Sequence, residues 1–150
     1  MKKSAALLSL ILFVPFSAAW SHCQVPCGIY DDEMRLEMIG EHIKTIERSM
    51  QQVAELSKTD SPNYNQIVRW VNNKEEHADE LTHIVTWYFM NQRVKPVSGD
   101  SQDYQMYVSQ ITMLHEMMFY AMKAKQSTDM ENVEKLRQLL ESFRRAYSGE

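Results

Sequence analysis

The chain has 150 residues, of which 44% are hydrophobic, and its formal net charge is −4. This length supports one domain with a sizeable core and is too short for two comfortable ones. The acidic balance argues against nucleic acid and against an anionic membrane surface as partners, since negative charge opposes binding to either.

The first 21 residues have the layout of a secretory signal peptide. Two lysines precede an apolar run from Ala5 to Phe16. This run is shorter than the roughly 20 apolar residues that a membrane-spanning helix needs, so we expect a segment that is removed and leaves no membrane anchor. Ala19 and Ser21 lie three positions and one position before His22, which predicts removal of residues 1–21. Cleavage after Ala19 remains an alternative. The mature protein is therefore expected to be exported, to the periplasm or the extracellular space, and loss of the two lysines changes its net charge from −4 to −6.

The only two cysteines, Cys23 and Cys27, come directly after this segment. In an exported protein a pair of cysteines usually forms a disulfide. That bond would close a very short loop, although disulfides stabilise most when they close long loops. The spacing alone leaves a disulfide and a metal site equally open.

The histidine before the first cysteine favours a metal. A free His22 amine, the deprotonated amide nitrogen of Cys23 and the Cys23 thiolate would close two fused five-membered chelate rings, and the Cys27 thiolate would complete a planar set. Such a tetragonal site is typical of Ni(II) or Cu(II) and not of tetrahedral zinc. The His22 ring can add an axial ligand. We call residues 22–30 the hook.

After the hook, apolar residues at helical spacing predict an all-α domain over residues 31–150, an antiparallel four-helix bundle. The first helix is expected from about Asp31 to Ser57. The second runs from Pro62 to about Asn91, with Ser61 as its N-cap. Asp100 or Ser101 caps the third, which ends near Lys125, and Ser127 to Asp129 cap the fourth, which ends near Tyr147.

The third helix is expected to bury a stripe of seven side chains: Tyr104, Tyr107, Val108, Ile111, Leu114, Met118 and Met122. Elsewhere Glu80 and His83 form a Glu-x-x-His pair, which in a bundle is one part of a di-iron site. Because no second copy is present in the sequence, we interpret it as a surface pair. His42 and His115 are treated as ordinary helix residues.

The run His22-Cys23-Gln24-Val25-Pro26-Cys27-Gly28-Ile29-Tyr30, followed by a helical chain of this length, resembles the nickel-containing superoxide dismutase family. The resemblance implies an enzyme that converts superoxide to oxygen and hydrogen peroxide by Ni(II)/Ni(III) cycling, with one nickel ion per chain. His22, Cys23 and Cys27 would be its ligands, Pro26 would shape the turn through a cis bond, and Gly28 would support that turn. It further implies that Tyr30 positions superoxide and that the chain forms a homohexamer of four-helix bundles.

The resemblance also suggests Glu37 as the carboxylate that holds the His22 ring. The chain departs from the family pattern at Gln24 and Asp32, and His77 occupies a place where the family can have an arginine near the site. The alternative is an exported bundle without catalysis, in which the hook simply holds nickel or copper. Eleven methionines could serve a copper carrier, but their helical spacing favours packing.

Overall fold

The computed structural model describes residues 31–149 of the chain, and this part folds into four packed helices. The predicted signal peptide and hook, residues 1–30, lie outside the described residues. Helix α1 spans Asp32–Leu56, α2 spans Tyr64–His83, α3 spans Tyr104–Gln126 and α4 spans Met130–Ser148. Helix α2 continues directly into a π-helical segment, Ile84–Arg93. The predicted all-α fold is confirmed.

Contacts between side chains show that neighbouring helices run antiparallel. Between α1 and α2, His42 contacts His77 while Ser49 contacts Asn73, so residue numbers rise along one helix as they fall along the other. The same pattern joins α1 to α4 through the ion pairs Glu33–Arg144 and Glu47–Arg137.

The core is aliphatic along most of its length and aromatic at the end where α1 begins. Phe89 lies edge-on to Phe143 and Tyr147, with ring centroids 5.1 and 5.6 Å apart. Fully burying a large apolar side chain stabilises a fold by about 1.5–3 kcal/mol. The packing of these rings therefore stabilises the end of the bundle at which α1, the helix that follows the hook, begins.

The start of α2 differs from the prediction. Its N-cap is Asn63, whose side chain accepts a hydrogen bond from the backbone N–H of Gln66 at 3.2 Å. The expected cap Ser61 and the expected first helical residue Pro62 precede the helix. Asparagine caps at least as well as serine, and Asn63 is the residue that reaches a free N–H of the first turn.

Helix α3 also begins later than expected, at Tyr104. The Ser101 hydroxyl accepts a hydrogen bond from the backbone N–H of Asp103 at 3.2 Å, which stabilises a turn ahead of the helix. The prediction of Asp100 or Ser101 as the cap was therefore wrong. The cap of α4 is confirmed, because the Asp129 side chain accepts from the Glu131 N–H.

The predicted buried stripe of α3 is only partly correct. Leu114 is buried, but Val108 and Met122 are exposed, and the helix instead buries Met117, Ala121 and Ala124. The reason is that α3 carries apolar residues on two opposite sides, so helical spacing alone does not indicate which side is buried.

Lys74 is a charged side chain inside the α2–α3 contact, with only 4% of its surface exposed. Its ammonium group donates to the backbone carbonyls of Lys125 at 2.7 Å and Ser127 at 3.1 Å. Burial lowers the pKa of Lys74, while the charge of Glu75 opposes that change. The last carbonyls of a helix lack partners within the helix, so Lys74 caps the end of α3 from the side of α2.

Candidate functional site

The predicted metal ligands His22, Cys23 and Cys27, together with Pro26, Gly28 and Tyr30, lie outside the described residues. The described residues that follow the hook directly in the sequence are those of the first turn of α1. Residues 31–149 contain no group of three or more His, Cys, Asp or Glu side chains placed to bind a metal ion.

Asp32, the first residue of α1, lies two positions after Tyr30 and is the centre of a hydrogen-bond network. Its carboxylate accepts from the Tyr88 hydroxyl, from the Arg93 guanidinium and, at 2.7 Å, from the Tyr147 hydroxyl. Arg93 Nε donates in turn to the Tyr147 hydroxyl at 3.2 Å. One carboxylate thus ties α1 to the π-helical segment and to α4.

The π-helical geometry explains why Tyr88 and Arg93 both reach this carboxylate. In an α-helix, residues five apart point about 140° away from each other. In a π-helix the hydrogen bonds join residues five apart and bring them to the same side. The Arg93 guanidinium accordingly lies 5.9 Å from the centroid of the Tyr88 ring.

The electrostatics of the network favour an ionised Asp32. Burial acts to raise the pKa of Asp32, but the hydrogen bonds from Tyr88, Arg93 and Tyr147 outweigh it and hold that pKa below its ordinary value. Burial, together with the hydrogen bond to Asp32, raises the pKa of Tyr88 to about 12. Burial likewise raises the pKa of Tyr147. Both phenols therefore stay protonated as donors at neutral pH.

Two further contacts fix the first turn of α1. Arg144 of α4 forms an ion pair with Glu33. Arg35 places its guanidinium over the Tyr88 ring, 5.4 Å from the centroid. The start of α1 is thereby fixed in position from both sides.

His77 pairs with His42, which the sequence gave no reason to connect. The two Nδ1 atoms are 2.8 Å apart, so one ring must donate the proton and the other accept it. His42 Nε2 is buried and has no hydrogen-bond partner among residues 31–149. Burial and the neighbouring His77 lower the pKa of His42, while the charges of Glu80 and Glu41 oppose them.

Glu37 lies on another side of α1 from His42. It is exposed and lines a groove of about 430 Å³ between α1 and α4, which also contains Glu41, Lys44, Arg137 and Arg144. The structure therefore does not bring Glu37 and His77 together. Glu80 and His83 are both exposed, in agreement with the surface interpretation of that pair.

Sequence reasoning missed the role of Asp32, which it noted only as a departure from a family pattern. Its partners Tyr88, Arg93 and Tyr147 lie at least 56 positions away along the chain. The available signal was a second acidic residue at the start of a helix, which is explained equally well by the helix dipole.

Comparison with known proteins adds one finding. The family model described as nickel-containing superoxide dismutase matches residues 17–150, which include the whole hook and all four helices. Searches of curated proteins and of solved structures found no match.

Proposed function

Because the chain belongs to the nickel-containing superoxide dismutase family, we propose that His22, Cys23 and Cys27 bind its nickel ion. The protein is an oxidoreductase that converts superoxide to oxygen and hydrogen peroxide with a nickel cofactor. The observation that carries the proposal is the extent of the family match, since it includes each residue of the hook.

The donor set of the hook fits nickel. An amine, a deprotonated amide and two thiolates would supply the nitrogen and sulfur donors that suit Ni(II). When bound, nickel supplies one-electron redox chemistry between Ni(II) and Ni(III). The His22 imidazole would be a further ligand, and Pro26 and Gly28 would form the turn that returns Cys27 towards Cys23.

The remaining residues of the site are proposed to position these ligands and the substrate. Tyr30 would hold superoxide or an ordered water close to the hook. Asp32 supports this role, because its three hydrogen bonds fix the chain two residues beyond Tyr30. Glu37 would accept a hydrogen bond from the His22 ring and fix its orientation.

The hook chemistry requires export and processing. Removal of residues 1–21 frees the His22 amine, which in the precursor is an amide and a poor ligand. We therefore propose a periplasmic or extracellular enzyme that has no membrane attachment after processing. None of the helices in residues 31–149 is long and apolar enough to cross a membrane. The assembly proposed from the family resemblance is a homohexamer.

Intact mass spectrometry with metal analysis tests the ligand assignment. We expect a mature chain that begins at His22 and holds one nickel ion. An active protein that begins at Trp20, or one that holds copper in place of nickel, would contradict the assignment.

A one-residue extension tests the amine ligand directly. Adding a single residue before His22 is expected to abolish nickel binding and activity but to leave the helical circular dichroism unchanged. The matched control adds the same residue after Glu150. If both extended proteins are fully active, the His22 amine is not a ligand.

The proposed role of Glu37 has a control in the same groove. Glu37→Gln is expected to lower activity or nickel affinity about 10–100-fold, as is usual for residues that orient a metal ligand. Glu41→Gln, which alters another exposed carboxylate lining the groove, should leave both unchanged. Equal effects of the two substitutions would show that only the charge of the groove matters.

A further inference from the structure

His42 and His77 form a polar contact between α1 and α2. Their Nδ1 atoms lie 2.8 Å apart, and the two ring planes are tilted by 51°. A second polar contact lies further along the same pair of helices, where the Asn73 amide donates to the Ser49 hydroxyl at 2.9 Å. Of these two contacts, only the one between the histidines contains groups that change charge between pH 5 and 8.

The neutral pair carries two ring protons, and the structure indicates where each lies. One proton is in the hydrogen bond between the two Nδ1 atoms, since one ring must donate and the other accept. His42 Nε2 is buried and has no partner among residues 31–149, whereas His77 Nε2 is not among the buried unpaired atoms of that region. Because buried N–H groups without a partner are rare in proteins, we place the bridging proton on His42 Nδ1 and the other proton on His77 Nε2.

A further proton has no favourable position in this arrangement. On His77 Nδ1 it would turn two N–H groups towards each other across 2.8 Å, which removes the hydrogen bond. On His42 Nε2 it would create a buried N–H group without a partner, which is unfavourable. Protonation at either position therefore weakens the contact between α1 and α2.

The charges around the pair do not reverse this effect. Within residues 31–149, the charges that shift the pKa of His42 lie on α1 and α2. Burial of His42 is the largest influence and lowers that pKa, and His77 lowers it further, whereas the carboxylates of Glu41 and Glu80 raise it. The net result is a pKa below the ordinary value of 6.5, so the folded contact resists protonation.

We propose that the His42–His77 pair is a pH-sensitive switch, which joins α1 to α2 while both rings are neutral and releases them when a further proton binds. The open form takes up protons that the closed form excludes, so the equilibrium moves towards the open form as the pH falls below about 6.5. This inference goes beyond the proposed function, and it does not depend on the metal ligands of the hook.

Hydrogen exchange of the nickel-loaded mature protein at about pH 7.5 and about pH 5 tests the switch. A histidine with an ordinary pKa of 6.5 that stays neutral in the closed form favours opening by up to roughly thirtyfold at pH 5. After correction for intrinsic exchange rates, we expect the protection of backbone amides next to His42 in α1 to fall at least about tenfold on acidification. The amides of α4, which contains neither histidine, should lose much less protection.

The variant His77→Asn tests the role of the shared proton. The asparagine amide can take the place of Nδ1 and either donate to His42 or accept from it, so the contact is kept while one titrating ring is lost. The fall in protection around His42 should become at least about threefold smaller. Two matched controls should leave the fall unchanged. His83→Asn removes an exposed histidine of α2, and Asn73→Ala removes the neighbouring contact with Ser49, which does not titrate.

An NMR titration of the same protein follows the histidine rings directly. Protonation of His42 should coincide with the loss of protection in α1. The proposal is overturned if His42 is protonated while α1 remains protected, if His77→Asn has the acid response of the wild type, or if either control reduces that response equally. Circular dichroism confirms that each variant is folded. Nickel content is measured at each pH, so that loss of the metal is distinguished from opening of the contact.

Discussion

Replacing Asp32 by Asn tests how strongly the start of α1 is anchored. The amide keeps one acceptor oxygen but presents an N–H group towards Arg93 and Tyr147, which are themselves donors. A hydrogen bond to a charged group contributes about 1.5–3 kcal/mol. The Arg93 bond contributes less, about 0–1 kcal/mol, because 44% of that side chain is exposed and water can replace the carboxylate. We expect a total loss of about 2–3 kcal/mol.

The assay is urea unfolding and thermal unfolding of the mature, metal-free chain, each followed by circular dichroism. A loss of this size should lower Tm by roughly 10 °C for a chain of this length. Asp60→Asn, in the exposed turn between α1 and α2, is the control for removing one carboxylate and should change stability by less than about 0.5 kcal/mol.

The pH dependence adds a second criterion. The folded protein lowers the pKa of Asp32 from its ordinary value of 3.8, so the ionised group stabilises the fold above that pH. This contribution disappears as the pH falls through the lowered pKa that Asp32 has in the folded protein. The stability difference between wild type and Asp32→Asn should therefore shrink in acid. A difference that is absent at neutral pH, or that grows in acid, would refute the anchoring role.

Three further predictions concern the bundle. Gly40→Ala should stabilise the protein by about 0.5–1 kcal/mol in urea unfolding, because the added Cβ meets only Leu140 Cδ2 at an ordinary 3.6 Å. A destabilised variant would show that the contact between α1 and α4 cannot accept a methyl group. Lys74→Met should cost about 2–4 kcal/mol, measured in the same way, because it leaves two carbonyls at the end of α3 without their donor; unchanged stability would mean that water replaces the ammonium group. The folded protein lowers the pKa of His42 from its ordinary value of 6.5, so its stability should fall as the pH drops below about 6.5, and less so in His42→Gln. Equal pH profiles for the two proteins would contradict the burial of a neutral His42.

The sequence predicted the helices well and their contacts poorly. Apolar spacing identified all four helices, and the Asp129 cap was visible because Asp is a strong N-cap directly before an apolar pattern. The start of α2 was missed because Ser61 and Pro62 satisfy the same local rule as Asn63. The buried side of α3 was missed because Val108 and Met122 continue an apolar pattern on the outside.

The same distinction between local patterns and long-range contacts applies to the candidate site. The residues of the hook are close together in sequence, so a short motif carries the prediction of the metal ligands, which stays a prediction. The pairs Asp32–Tyr88 and His42–His77 join residues 56 and 35 positions apart. Such contacts depend on the register between helices, which local spacing does not specify. The roles of Tyr30 and Glu37 remain predictions.

The π-helical segment makes the bundle sensitive to the number of residues in this segment as well as to their identity. Removing one residue ahead of Tyr88, between Ile84 and Trp87, and thereby restoring α-helical bonding, would leave Tyr88 and Arg93 five positions apart and turn Arg93 about 140° away from the direction of Tyr88. The carboxylate of Asp32 would keep one of these partners and lose the other. Substitutions on the exposed face of this segment leave that geometry intact, whereas insertions and deletions alter it. The number of residues in this segment is therefore constrained by its contact with the start of α1, the helix that follows the proposed hook.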